Sequence, residues 1–234
     1  IMNTLYACRN IPVLIVLFFM TEFTFGQDWA GLNRYKEENR ILVSRENKGN
    51  RVVFIGNSIT EGWAVQNPAF FKENYINRGI SSQVTAQILF RFKQDVVDLN
   101  PKVVVILAGT NDIAENSGPI SLEDILGNIK AMAQQAKNNN IAVVLCSILP
   151  AYDYPWRPGL HPDKKIPELN KMIQAYAADA GCVYVDYFSA MADERNGLPK
   201  KYAEDGVHPT KAGYAVMELL VEDGIKKAFF QNKR

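Results

Sequence analysis

The chain has 234 residues, 47% hydrophobic and 22% charged, with 26 Lys and Arg against 25 Asp and Glu for a formal net charge of +1. That balance argues against a surface built for nucleic acid or anionic lipid, which would need a basic surplus. The length supports a sizeable core, and no Gly/Ser-rich linker, internal repeat or low-complexity stretch divides it.

Near the start, Arg9 precedes an apolar run of ten residues, Ile11 to Met20. A membrane-spanning helix takes roughly 20, whereas ten is the size of a signal-peptide core. With Thr24 and Gly26 at cleavage positions, the expectation is a signal peptide over 1–26, then one domain over 27–234 with no membrane insertion. The mature chain is then periplasmic or extracellular. Cys146 and Cys182 lie in apolar, strand-like runs and read as buried free thiols, with a disulfide between neighbouring strands as the alternative, and without metal-site spacing.

Residues 30–45 carry Leu32, Tyr35, Ile41 and Leu42 and predict a helix laid on a sheet, with a turn at 48–50. Apolar runs then predict strands at 52–55, 75–77, 103–108, 141–147 and 182–186. Those at 103–108 and 141–147 are continuous rather than alternating, as parallel strands covered on both faces require. Val84, Ile88, Leu89, Phe92 and Val96 recur at helical spacing, as do Leu122, Ile125, Leu126, Ile129 and Met132 after a Ser121 cap, and Val216, Leu219, Leu220 and Ile225. The alternation predicts an α/β, flavodoxin-like three-layer sandwich with a parallel sheet of about five strands.

Ligands of such sheets bind outside the carboxyl ends of the strands. The first strand runs out at Gly56, and Asn57-Ser58-Ile59-Thr60 follows as a helix start. A serine there meets free N–H groups and the positive end of a helix dipole, part of an oxyanion site. On its own, Ser58 also reads as a helix cap, with Glu61 completing a capping box. Asp205 and His208 are three apart, so the carboxylate reaches one imidazole nitrogen and leaves the other free to take a proton from Ser58. Beside the Ser58 N–H, Gly79 and the Asn111 amide are candidate oxyanion donors on the same edge. The Pro- and aromatic-rich loop 149–162 reaches that edge too. Tyr152, Tyr154 and Trp156 from it, with Asn57 and Trp63, are candidate substrate-lining residues, and His161 is a loop residue.

Four short blocks occur in order: Gly56-Asn57-Ser58-Ile59, Asn77-Arg78-Gly79, Gly109-Thr110-Asn111-Asp112 and Asp205-Gly206-Val207-His208-Pro209. By these the chain resembles the SGNH, or GDSL-type, hydrolases, especially bacterial members grouped with platelet-activating-factor acetylhydrolase-like esterases. The resemblance spans about residues 50–229. It implies a serine esterase without metal or organic cofactor, with Ser58 as nucleophile, His208 as base and Asp205 as its acid. The N–H groups of Ser58 and Gly79 and the Asn111 amide would form the oxyanion hole. The family usually carries aspartate where this chain has Asn57. The Gly-x-Ser-x-Gly elbow of α/β-hydrolases is absent, because Thr60 stands at the second glycine position.

No long apolar lid is visible in the sequence, so the expected substrate is a small-molecule or carbohydrate ester, with a short acyl group such as acetyl. A lysophospholipase or thioesterase is the alternative among enzymes. A non-catalytic carbohydrate-binding protein of the same fold is the alternative outside them. A flavin-binding module lacks its Gly-rich phosphate loop after the first strand.

Overall fold

A computed structural model describes residues 28–47, 50–71 and 74–231. The signal segment expected over 1–26 lies outside the described residues. Five strands, β1 (Val52–Gly56), β2 (Tyr75–Gly79), β3 (Val103–Leu107), β4 (Ala142–Cys146) and β5 (Val183–Val185), form one parallel sheet in the order β2-β1-β3-β4-β5. This is the flavodoxin-like order, with its switch point between β1 and β3.

The strands feed two cores by their period-two alternation. Val53, Ile55, Val104, Ile106, Val143 and Leu145 point to one face. There they meet α3 (Thr85–Asp95), α5 (Leu122–Asn138) and α6 (Pro162–Ala180). Val52, Phe54, Val103, Val105, Val144 and Val185 point to the other, toward α2 (Ser58–Gln66), α7 (Tyr187–Met191) and α8 (Lys211–Gln231). Each fully buried Val, Leu, Ile or Phe contributes roughly 1.5–3 kcal/mol relative to exposure. Two further helices are short, α1 (Lys36–Ser44) and α4 (Thr110–Ile113).

The expected N-terminal helix is shorter than predicted and starts at Lys36. Residues 28–35 instead form a turn-rich arm, because the Asp28 carboxylate accepts from the N–H groups of Leu32 and Asn33 at 2.7 and 2.8 Å. Three glutamines fasten the arm: Gln83, Gln87 and Gln94 donate to the carbonyls of Ala30, Trp29 and Leu32. The helix α6 was not among the expectations. Its signal was Ile166, Leu169, Ile173 and Ala177 at helical spacing after Pro162 at the helix start, obscured by Pro167 inside the helix. Ser121 caps α5 as predicted, accepting from the Asp124 N–H at 3.0 Å.

Among the described residues Cys146 and Cys182 are free; Cys182 is only partly covered. Burial pushes the Cys146 thiol up to about 12, which makes it inert. Among the described residues no helix is long and apolar enough to cross a membrane.

Candidate active site

β1 ends in a tight turn that carries the chain straight into α2. Gly56 is needed there, because a Cβ would lie 2.4 Å from the Leu107 carbonyl oxygen and 2.2 Å from Thr60 Oγ1. Asn57 is the N-cap of α2 and its Oδ1 accepts from the Ile59 N–H at 3.1 Å. The amide oxygen thus does the capping that a carboxylate would do. Ser58 follows as the first helical residue, so its own N–H has no intrahelical acceptor. The expected capping box on Ser58 and Glu61 does not form. Glu61 instead accepts from the Ser81 N–H at 2.9 Å, from the Ser81 hydroxyl, and from Arg34 at 3.3 Å.

Ser58 Oγ lies 3.0 Å from His208 Nε2, and His208 Nδ1 lies 2.6 Å from Asp205 Oδ2. The other Asp205 oxygen accepts from the N–H groups of Val207 and His208 at 2.9 and 2.8 Å. One carboxylate therefore shapes the turn and orients the ring. Gly206, at φ +78°, supplies the left-handed residue that this turn needs. Partial burial pushes the Asp205 carboxyl up, but the His208 ring and the two backbone amides outweigh it and hold it below the usual range. It stays ionised against the imidazole.

The sequence-derived donors fare unequally. Asn111 is buried in α4, and its Nδ2 donates to the Gln83 carbonyl at 3.0 Å. A side-chain amide has two N–H groups, so one remains. Gly79 requires a correction. Its N–H is taken by Asn77 Oδ1 at 2.9 Å. Successive amides of a strand point to opposite sides, and the Ile80 N–H bonds the Gly56 carbonyl at 3.1 Å, which turns the Gly79 N–H away from β1. Gly79 is glycine for packing: a Cβ would sit 2.1 Å from the Glu61 nitrogen, so only glycine lets α2 rest on β2.

The residue missed is Ser82. Along 79–83 the amides of Gly79, Ile80, Ser81 and Gln83 find Asn77, Gly56, Glu61 and Ile80 as acceptors. Ser82 is the one left over. It is exposed, in the loop that follows β2, and holds φ +65° without being glycine. Strain of this kind concentrates at functional loops. A serine in a left-handed turn leaves no mark in the sequence, which is why glycine drew attention instead.

Three expected lining residues prove to be structural. Trp63 is buried, stacks on Phe70 and Tyr214, and donates to Glu218 at 3.0 Å. Asn57 is buried by its capping role. Tyr154 is buried, with its hydroxyl 2.9 Å from Thr110 Oγ1. Helical spacing aims Trp63 at α8, and the loop folds Tyr154 inward. Tyr152 and Trp156 are exposed, and the Trp156 ring lies 6.1 Å from the His208 ring, centroid to centroid. His161 is exposed, in a left-handed conformation before α6.

A cleft of about 690 Å³ opens beside Ser58 and His208, walled by Arg34, Glu38, Glu61, Gln66, Asn77 and Ser81 among others. Among the described residues no group of three or more His, Cys, Asp or Glu is placed to hold a metal ion. The arrangement offers a nucleophile, a base, an acid and hydrogen-bond donors, the parts of acyl transfer.

The family model described as GDSL-like Lipase/Acylhydrolase matches residues 54–216. A crystal structure of a GDSL-like lipase from Bacteroides thetaiotaomicron superposes with a TM-score of 0.82 at 47% identity, covering 86% of this chain and 99% of that one. The platelet-activating factor acetylhydrolase IB subunit beta homolog of Drosophila melanogaster is 30% identical over 181 residues, 68% of this chain and 74% of that protein. An acetylxylan esterase from Xylanibacter ruminicola is 27% identical over 213 residues, 75% of this chain but 43% of that protein.

Proposed function

The chain belongs to the GDSL-like lipase/acylhydrolase family and is a carboxylic ester hydrolase, and from that premise we propose a serine esterase for short-acyl esters, acetyl above all, carried on carbohydrate. The observation that carries the reading is the unbroken relay from Ser58 Oγ to His208 Nε2 at 3.0 Å and from His208 Nδ1 to Asp205 at 2.6 Å.

Ser58 Oγ attacks the acyl carbon as His208 Nε2 takes its proton, and Asp205 stabilises the imidazolium. The tetrahedral oxyanion meets the N–H groups of Ser58 and Ser82 and the free Asn111 N–H. Collapse breaks the ester C–O bond, and the departing alkoxide takes the proton back from His208. Water, deprotonated by the same histidine, then releases the acid from Ser58.

The cleft supports a polar substrate. Arg34, Glu38 and Glu61 line it, and a long alkyl chain laid there would desolvate these charges at several kcal/mol. An acetyl group needs no such channel. The acetylxylan esterase relative supports the carbohydrate part. An exported location, read from Arg9 and the apolar run 11–20, suits a polymeric substrate.

The test is hydrolysis of p-nitrophenyl acetate, butyrate, octanoate and palmitate by the protein and its Ser58→Ala variant. Activity should be highest on acetate and vanish in the variant. A maximum at octanoate or beyond would move the reading to lipids or thioesters. No Ser58-dependent activity on any ester would leave the binding-protein reading in front.

A further inference from the structure

The chain has three tryptophans, and they are used differently. Trp63 is core. Trp29 sits edge-on to Phe90 at 5.9 Å on the arm. Trp156 alone stands beside the proposed relay, 45% exposed, 6.1 Å from the His208 ring and tilted 34° to it. We propose that Trp156 is the stacking platform for the sugar ring of the leaving alcohol, a positive subsite resting on the esterase reading above.

The first argument is chemical. His208 Nε2 must protonate the departing alkoxide, so the alcohol lies within hydrogen-bond reach of that nitrogen. The acyl oxygen faces the donors at Ser58, Ser82 and Asn111 instead. Whatever packs on the open side of His208 therefore meets the alcohol and not the acyl group.

The second argument is rigidity. The loop carrying Trp156 is fixed to residues 110–116 at three points. Tyr154 bonds Thr110 at 2.9 Å, Arg157 donates to the Glu115 carbonyl, and Trp156 Nε1 donates to Asn116 Oδ1 at 3.2 Å. Tyr154, itself buried, backs the indole at 5.2 Å. A large aromatic held in place while half exposed contributes little to the core, and it binds a ring without paying to be ordered.

The third argument is the surroundings. A separate pocket of about 320 Å³ lies along the same loop, lined by Tyr152, Arg195, Lys200, Glu204 and Asp205 among others. Tyr152 is 53% exposed, with the Arg195 guanidinium 4.8 Å from its ring. Aromatic faces bordered by charged and polar groups match a pyranose, which offers a C–H face and a rim of hydroxyls. They match an alkyl alcohol poorly.

The test compares wild type, Trp156→Ala and Trp156→Phe on peracetylated xylobiose and on ethyl acetate, by titrating released acid. Ethyl acetate has a leaving alcohol too small to stack; a nitrophenyl ester would itself stack and obscure the result. The ratio of kcat/KM for the disaccharide ester to that for ethyl acetate should fall about tenfold in Trp156→Ala, mainly through KM. Trp156→Phe should restore most of it. An unchanged ratio in Trp156→Ala, with a wild type active on both esters, overturns the subsite and leaves the esterase standing. A wild type active on ethyl acetate but not on the disaccharide ester overturns the subsite together with the carbohydrate reading. Inactivity on both overturns the esterase itself.

Discussion

Two carboxylates, each bonded to a nitrogen-bearing side chain, serve the same edge of the sheet, one open and one sealed. Asp205 and His208 are 45% and 44% exposed in their side chains, while Arg91 and Asp95 are both at 0%. The sealed pair is the centre of a network. Arg91 donates to Asp95 at 2.9 Å, to the Gly56 carbonyl at 2.9 Å and to Gln83 Oε1 at 2.6 Å. Gly56 leads into Ser58, and the backbone of Gln83 holds Asn111. The difference teaches a division of labour. On the proposed mechanism the open pair exchanges protons with substrate and water, and it stays at the surface, where such a pair adds little stability. A pair that fixes the spacing of two loops is buried, where losing one partner is costly.

The sharpest way to break this contrast is Ser58→Ala. Esterase kcat should fall by about 10⁴-fold or more, with Tm within a degree or two of wild type by differential scanning calorimetry. A large loss of Tm would show that the open cluster also carries the fold. Arg91→Met should do the reverse and lose about 3–5 kcal/mol in urea unfolding, because the Asp95 charge is left buried without its partner. Adding Asp95→Leu should return much of that loss. If Arg91→Met unfolds like wild type, the network is not structural.

A pH series sharpens the comparison at a third carboxylate. Burial pushes the Asp112 carboxyl up to about 6, against the pull of hydrogen bonds from Thr85. Between roughly pH 4 and 6 the folded chain keeps a proton there that the unfolded chain has lost. Stability therefore falls as pH rises through that window, by about 3 kcal/mol at this site. Asp112→Asn removes the titration, so its Tm relative to wild type should climb by several degrees between pH 4.5 and 7.5. A constant difference would show that the carboxyl is ionised throughout. The smallest effect belongs to Ser82→Gly. Relieving φ +65° should stabilise by about 1 kcal/mol or less, since glycine also gains freedom in the unfolded chain. A clear loss of Tm would mean that the Ser82 side chain, rather than its backbone, anchors the loop.

Much of the molecule was legible in advance. Strand runs such as Val103–Leu107 are uniformly apolar and mostly β-branched, and their parallel pairing followed from alternation with helices. That Ser58, Asp205 and His208 come together was legible because chemistry restricts the residue types and the turn fixes the Asp–His spacing. What was misread has one cause: backbone direction is not written in residue type. Gly79 drew attention as a donor and is a packing glycine, while Ser82 gave no signal. Trp63 and Tyr154 looked like wall residues because aromatic character does not say which way a helix face or loop turns. The buried Arg91–Asp95 pair was invisible because charged residues at helical spacing usually face water.

The arm and α1, together residues 28–44, lie ahead of residue 54, where the family match begins, yet they contribute Arg34, Tyr35 and Glu38 to the cleft. The arm's fastening runs through glutamine side chains on and beside α3, the Tyr35 hydroxyl on the Gly79 carbonyl and the Arg34 guanidinium on Glu61 of α2. Protein engineers therefore have a graft point. Exchanging this segment among relatives that keep the glutamines would alter one wall of the cleft while the hydrolytic apparatus is carried over intact. A fragment trimmed to the family boundaries would lose that wall, and substrate preferences measured on it would not transfer to the longer protein.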